Sequence, residues 1–347
     1  MNDYLKRKLN PFKTRFFKIL TSSFKNSNNI SDLSKIDKND IKRILISRPN
    51  HRLGNQLLLS PIIQIIEAEF PNCTIDLLVN GNLSRILYKN YSSVGNVYNL
   101  PKKPFKNLYK YLKTSFKVLS VKYDLGIVGT ESSNSSKIFV KLSRTRFKIF
   151  NSGENTITSK HIAKKPIDIF LNLYKGNTIV NYPKLDIKLT DDEISIGKSV
   201  LSNFFSNSYD TIAIFTNATG NKKLSKKCWQ ELCSKIISEI PDTNILEILP
   251  KENTSQLDFK YKNYLSSDLR EMASVIENSV IFISADSGVM HLATATNTPT
   301  FGLFNGSTDS EIYGPYGRCK YVIETKKIGI DELIKDIKKT FYNNGYK

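Results

Sequence analysis

The segment Val280-Ile-Phe-Ile-Ser-Ala-Asp286-Ser287-Gly288-Val-Met-His291-Leu-Ala-Thr-Ala carries the densest chemical signal in this sequence. An apolar run ends in a small polar turn and passes directly into a helical pattern. At such a junction the N–H groups of Ser287, Gly288 and Val289 open a helix and lack intrahelical partners. With the helix dipole they make a site suited to a phosphate. Gly288 lets that phosphate approach the backbone closely. Asp286 would repel phosphate, so its carboxylate suits sugar hydroxyls or a cap on the helix. His291, one turn further on, either donates to a phosphate oxygen or packs under the loop. Taken alone, the segment is equally a plain capped helix start.

A turn of this kind needs a strand before it and a helix after it, and both are legible. Residues 280–284 read as a buried strand and 289–296 as a helix. The alternation recurs along the chain. Strands are expected over 41–47, 74–79, 123–128, 147–150, 211–215, 244–249 and 300–304. Helices are expected over about 56–70, 229–240, 269–278 and 328–342. Residues 41–79 form one strand–helix–strand unit, and the pattern restarts at 211. The loop 129–136 leads into a basic helix expected to carry Lys137, Lys141, Arg144 and Arg146. Thr190-Asp-Asp-Glu193 reads as the helix start that closes an interdomain connection over 177–192. The fold class is α/β, with two Rossmann-like domains that hold ligands at the carboxyl ends of their strands. The expected division is a basic leader and linker over 1–40, a first domain over 41–180 and a second over 181–347.

Composition narrows the partners. The 347 residues exceed one ordinary core, and 40% hydrophobic content suffices for packed domains. Lysine and arginine total 51 against 32 acids, a net charge of +19 that attracts anions. Solvated lysines with no specific task account for that figure equally well. Nucleic acid is set aside, because no aromatic-basic RNA signature or helix-turn-helix cue accompanies the charge. Cys73, Cys228, Cys233 and Cys319 form no Cys-x-x-Cys pair and read as free thiols of a reducing compartment. No apolar stretch is long enough to span a bilayer and no signal peptide is recognisable, so the expected setting is the cytoplasm. In the leader, Leu5, Leu9, Phe12, Phe16, Ile19, Leu20 and Phe24 recur at helical spacing among lysines and arginines. That pattern suits peripheral contact with the anionic inner face of a membrane, or packing on a protein surface.

Several motifs together carry a family resemblance. Asp286-Ser-Gly-x-x-His-Leu-Ala is followed by Thr298-Pro-Thr, Phe304-x-x-Ser-Thr-Asp309 and Gly314-Pro-Tyr-Gly317. Arg52-Leu-Gly-Asn-Gln-Leu-Leu-Leu-Ser-Pro61, Phe215-Thr-Asn-Ala-Thr-Gly220 and Lys227-Cys-Trp229 add to them. The set closely resembles glycosyltransferase family 9, the ADP-heptose:lipopolysaccharide heptosyltransferase family, over residues 41–325. The resemblance implies a GT-B fold with a central cleft, inversion at the anomeric carbon, and no metal or other cofactor. The implied partners are a nucleotide-sugar donor, held mainly by the second domain, and a lipid-linked glycan acceptor such as lipopolysaccharide core. Without metal, cations must neutralise the leaving diphosphate. Lys227 is the chief candidate, with Lys222, Lys223 and Lys226 nearby, and Thr216 and Thr219 can hydrogen-bond phosphate oxygens. Arg52, Arg144 and Arg146 are the candidates for anionic groups of the acceptor.

The sequence departs from the family in one place. Where the first loop of the family has an aspartate thought to act as general base, this chain has Asn55, and an amide cannot take a proton at neutral pH. His51 in the same loop and Glu131 at a neighbouring strand end are the alternatives. Three functions remain open: heptosyl transfer, transfer of another nucleotide sugar to capsule or O-antigen, and an inactive relative that binds nucleotide sugar.

Overall fold

The computed structural model describes residues 37–130, 132–150, 159–176 and 181–344. The amphipathic pattern of residues 1–36 and the candidate base Glu131 lie outside them.

The first sheet contains β1 (Arg43–Ser47), β2 (Thr74–Asn80), β3 (Val94–Leu100), β4 (Lys122–Val128) and β5 (Arg144–Ile149). They run parallel in the order β3-β2-β1-β4-β5. Between them come α1 (Leu53–Leu57), α2 (Ser60–Glu69), α3 (Leu83–Leu87), α4 (Leu108–Ser120) and α5 (Asn134–Leu142). Helices α6 (Lys165–Lys175) and α7 (Asp191–Phe204) lead to the second sheet. Its strands are β6 (Asp210–Phe215), β7 (Thr243–Ile248), β8 (Lys262–Tyr264), β9 (Ile281–Ala285), β10 (Thr300–Phe304) and β11 (Lys320–Glu324). These are also parallel, in the order β11-β10-β9-β6-β7-β8. Their helices are α8 (Lys226–Glu239), α9 (Leu269–Glu277), α10 (Gly288–Thr294), α11 (Ser310–Tyr313) and α12 (Ile330–Asn344).

The central strands β1, β6 and β9 bury Ile44, Leu45, Ile46, Ile212, Ala213, Ile214, Phe282 and Ile283 almost completely. Helices cover both faces of a parallel sheet, which is why these strands read as continuous apolar runs. Each sheet reverses its winding once, between β1 and β4 in the first and between β6 and β9 in the second. The carboxyl ends at those two points are the natural ligand crevices.

Two local features differ from the sequence expectation. The single helix expected from 56 to 70 is divided at Leu58 and Leu59 into α1 and α2. Pro61 has no N–H to give to Leu57, and the Ser60 hydroxyl donates to the Leu57 carbonyl instead, at 2.9 Å. Arg144 and Arg146 do not lie on a helix. They belong to edge strand β5, where Arg144 pairs in register with Lys122 at the amino end of β4. The side chains are exposed there, Arg144 about 16 Å and Arg146 about 10 Å of strand back from the carboxyl end where a ligand would sit. An acceptor-binding role for the two arginines is corrected on that ground.

The two sheets are joined by a buried arginine. Arg270 on α9 is paired with Glu193, with Nε to Oε1 at 2.6 Å and Nη2 to Oε2 at 2.7 Å. Its Nη1 also donates to the carbonyls of Leu87, at 3.2 Å, and Ile187, at 3.0 Å. One side chain thus ties the end of α3 to the connecting segment and the second domain. Thr190 caps α7 in a capping box with Glu193, which orients the carboxylate toward Arg270. The bonds to Arg270 come first among the causes that hold the Glu193 carboxyl down at about 2, ahead of the opposing effect of burial. Arg270→Ala would strand Glu193 and these carbonyls. It is expected to lower the unfolding free energy by about 3–5 kcal/mol, read by urea titration.

Candidate active site

The site forms where the two crevices meet. Helix α1 follows β1, α10 follows β9, and the two helices cross at glycines. A Cβ on Gly54 would run into the His291 imidazole, whose Cγ and Nε2 lie 3.3 Å from that position. A Cβ on Gly288 would stand 3.1 Å from Leu53 Cβ and 3.4 Å from the Gly54 nitrogen. Glycine at both positions lets backbone meet backbone, so the first-domain loop lies directly against the Asp286-Ser287-Gly288 turn.

The turn is built from its own side chains. Ser287 caps α10 by accepting from the Met290 N–H at 3.1 Å, and its hydroxyl lies 3.0 Å from that of Ser284. Asp286 is buried. It pairs with Lys222 at 2.7 Å and accepts from the Thr308 hydroxyl at 2.5 Å. This carboxylate therefore pins the loops after β6 and β10 to the end of β9. The far end of α10 is held by Lys320, whose ammonium donates to the carbonyls of Ala293 at 3.2 Å and Thr296 at 3.1 Å.

Beside the turn lies a cavity of about 260 Å³. Asn217, Ala218 and Thr219 line it from the loop after β6, Leu249 to Glu252 from the loop after β7, and Ser287 to Val289 from α10. Leu269 and Met272 of α9 close one wall, and Leu53 reaches in from the first domain. The walls offer apolar surface for a flat ring, together with polar loop groups. Asn217 Oδ1 is buried there without a hydrogen-bond partner, an acceptor that a ligand donor would satisfy.

On the first-domain side, Arg48 crosses from β1 to β4. It is 1% exposed and donates from Nη1 to the Gly129 carbonyl and from Nη2 to Asn55 Oδ1, each at 2.9 Å. Its Nε has no partner. Burial lowers the guanidinium to about 10, still fully protonated at neutral pH. Asn55 is thus fixed by a buried cation and presents an amide where the resemblance implies a carboxylate. His51 and Arg52 are exposed on the same loop. Partial burial and, after it, the charges of Lys102 and Arg52 lower the His51 pKa, which keeps this imidazole neutral at neutral pH.

Ser287, Gly288 and Thr219 border the cavity. His291 packs beneath Gly54 instead of facing the cavity, because close contact between the helices takes the space over its ring. Thr216 is buried with its hydroxyl donating to Glu247 at 2.8 Å, so that proton is committed within the protein and is not offered to a phosphate. Lys227 is exposed in the first turn of α8, and it is Lys222 that reaches Asp286. Nothing in the sequence separates Lys222 from its neighbours; only the path of the loop does. Arg48 was equally hidden, since its burial and its hold on Asn55 come from β1 lying beside β4. Among the described residues, no group of three or more His, Cys, Asp or Glu could hold a metal ion. No helix of the described residues is long and apolar enough to cross a membrane.

The family model described as Glycosyltransferase family 9 (heptosyltransferase) matches residues 247–333. That span runs from the loop-bearing end of β7 through the Asp286 turn to α12, so it contains most of the cavity. Over this part of the chain the sequence is similar to glycosyltransferase family 9. Lipopolysaccharide heptosyltransferase 3 of Escherichia coli is 23% identical over 301 residues, covering 76% of this chain and 83% of its own length. The crystal structure of the glycosyl transferase family 9 from Veillonella parvula aligns with a TM-score of 0.68 at 16% identity, over 88% of this chain and 92% of that one. E. coli heptosyltransferase WaaC with ADP aligns with a TM-score of 0.65 at 15% identity, over 87% of this chain and all 100% of its own. The fold is GT-B, as in these solved glycosyltransferases.

Two outcomes follow for this protein. Gly54→Ala is expected to cost about 1–3 kcal/mol through overpacking against His291, and Gly288→Ala less; chemical denaturation of both variants checks the order. Burial is the chief cause that lowers His161 and His291 from 6.5 to about 4. His161 sits with Nε2 donating to the Gly314 carbonyl at 2.9 Å and Nδ1 accepting from the Ala163 N–H at 3.2 Å. Both imidazoles stay neutral in the folded chain, while the unfolded chain protonates them near 6.5. The unfolded state binds more protons in that window, so stability falls as pH drops from 6.5 to about 4. Urea midpoints across that range test it, with a shallower slope expected for His161→Phe.

Proposed function

We propose that this glycosyltransferase moves a sugar from a nucleotide-diphosphate donor to a hydroxyl of a lipid-linked surface glycan, with inversion and without a metal. The observation that carries the reading is the cavity beside Ser287 and Gly288, with Leu53 of the first domain in its wall. In this reading the base stacks on the apolar wall of Leu249, Pro250 and Met272. The diphosphate lies toward the N–H groups of Ser287 and Gly288, with Thr219 donating to an oxygen. Lys222, already at the turn, neutralises the leaving charge, and Lys227 adds to the field at the cavity mouth. Asp286 holds Lys222 in place.

The acceptor side is the first-domain crevice at Asn55. As the acceptor oxygen attacks the anomeric carbon, its proton passes to a base and the bond to the diphosphate breaks. His51 is neutral at physiological pH and suited to that proton, with Glu131 as the alternative. Asn55, held by Arg48, can orient the hydroxyl, and Arg52 at the mouth can meet an acceptor anion.

Heptose from ADP-heptose is the donor that the relatives favour. One solved neighbour is described as WaaC with ADP-2-deoxy-2-fluoro heptose and another as ADP-heptose lps heptosyltransferase II, both of E. coli. Lipopolysaccharide core is the acceptor class suggested by the relative of the heptosyltransferase 3 name. The setting we propose is the cytoplasmic face of an anionic membrane, where the basic leader of residues 1–40 adds attraction. A second reading rests on Asn55: the chain binds nucleotide sugar and does not turn it over.

Calorimetry with ADP-heptose and a panel of other nucleotide sugars tests the donor. The wild type is expected to bind one of them, and Lys222→Ala to weaken it by about 10- to 100-fold, with a smaller effect for Lys227→Ala. No binding to any nucleotide sugar sinks the proposal. Transfer that disappears in His51→Ala while donor binding persists excludes the non-catalytic reading.

A further inference from the structure

Helix α4 has two faces, and folding uses only one of them. Val118 is fully buried, and Tyr111 and Leu119 pack with it against Leu45, Leu78 and Leu100 of the sheet. On the outer face, where an amphipathic helix of this kind is normally polar, stand Leu108, Tyr109, Leu112 and Phe116. They are 53%, 76%, 56% and 73% exposed. Their spacing of three, four and seven residues stacks them into one stripe along the helix. Lys110, Lys113 and Lys117, all exposed, flank the stripe, and the Lys113 ammonium lies 5.7 Å from the centre of the Tyr109 ring. Lys102, Lys103 and Lys106 extend the charge at its amino end. No acidic residue occurs in the sequence between Asp76 and Asp124.

We propose that this face of α4 is the surface by which the protein docks on an anionic lipid bilayer. Charge selects the occupant. A second copy would set the same lysines against each other. The leader of this chain carries Lys6, Arg7, Lys8, Lys13, Arg15, Lys18 and Lys25 against Asp3 in its first 25 residues, and is repelled for the same reason. A bilayer with anionic headgroups meets both demands at once: phosphates for the ammonium groups and hydrocarbon for Leu112 and Phe116. Tyr109 suits the boundary, with an apolar ring and a polar tip. The helix of 13 residues is too short to cross a membrane and lies in its plane. Neighbouring α5 widens the surface. Its Phe139 meets Tyr111 at 6.2 Å between ring centres, and its Leu142 is 62% exposed.

The placement links the surface to the cleft. Helix α4 begins after the carboxyl end of β3, on the same edge as the first-domain crevice, and Lys102 acts electrostatically on His51. Docking through α4 would bring the mouth of the acceptor crevice to the headgroups. The inference deepens the membrane part of the proposed function and is tested with no donor or acceptor present, so its failure leaves sugar transfer untouched.

The test is flotation of the full-length protein with phosphatidylcholine vesicles, with and without phosphatidylglycerol. The wild type is expected to bind the anionic vesicles, and high salt to weaken that binding. Leu112→Ser/Phe116→Ser is expected to lower partitioning by about tenfold or more. Lys110→Gln/Lys113→Gln/Lys117→Gln should lower it about a hundredfold, at about fivefold per lysine. Both variants change exposed side chains, and unchanged circular dichroism and thermal unfolding would verify that they are folded. Equal binding to neutral vesicles, no binding to anionic ones, or variants that bind like wild type would overturn the proposal. So would a concentration-dependent dimer that Phe116→Ser dissolves.

Discussion

Contact between α1 and α10 is the constraint on which the rest of the molecule depends. Each helix starts where its sheet reverses direction, and each carries a glycine where the other comes closest. Had either glycine a side chain, the two crevices would be held apart by at least the width of a methyl group. Because neither has one, the loop from His51 to Asn55 lies against the turn carrying Ser287, with Leu53 in the cavity wall, and His291 is consumed as packing in that contact. The apolar core runs across the junction through Leu57, Val289 and Leu292, so burial stabilises the same arrangement that the proposed transfer needs.

The polar bonds around this contact divide their tasks. Arg270 and Glu193 hold the connecting segment and both domains at a distance from the cavity. Asp286 and Lys222 do the equivalent work inside it, drawing the loops after β6 and β10 onto the turn. A phosphate arriving there would meet a cation that is already positioned, which lowers the ordering cost of binding. In the proposed reading Asp286 would serve the anion indirectly, by holding its counter-charge.

The first-domain crevice has an unusual electrostatic balance. Arg48 is buried beside Gly129 and Asn55 and, of the two, only Asn55 offers it a side-chain oxygen, a neutral one. A carboxylate at position 55 would face this guanidinium and be held ionised by it; with the amide there, no carboxylate among the described residues bonds to Arg48. An anion entering the crevice would therefore find a field that a carboxylate would have cancelled. The lysines of α4 continue that positive field outward from the cleft, along the same edge of the sheet.

The sequence by itself determined the α/β class, the central strands and the position of the Asp286-Ser287-Gly288 turn. Strands such as β1, β6 and β9 are buried on both faces, which forces unbroken apolar runs that can be read directly. Edge elements had no such signature: β3 and α4 keep one face in solvent, and their mixed patterns hid them. The break between α1 and α2 was encoded by Pro61 and Ser60, yet it became visible only as a hydrogen bond. Which lysine serves the turn, which threonine spends its hydroxyl inside the protein, and that Arg144 and Arg146 belong to a strand were decided by tertiary structure alone. The physical reason is the same each time. Residue type and spacing set what a side chain can do, whereas its partners come from segments far away in sequence, as Lys222 does for Asp286 and Arg48 for Gly129.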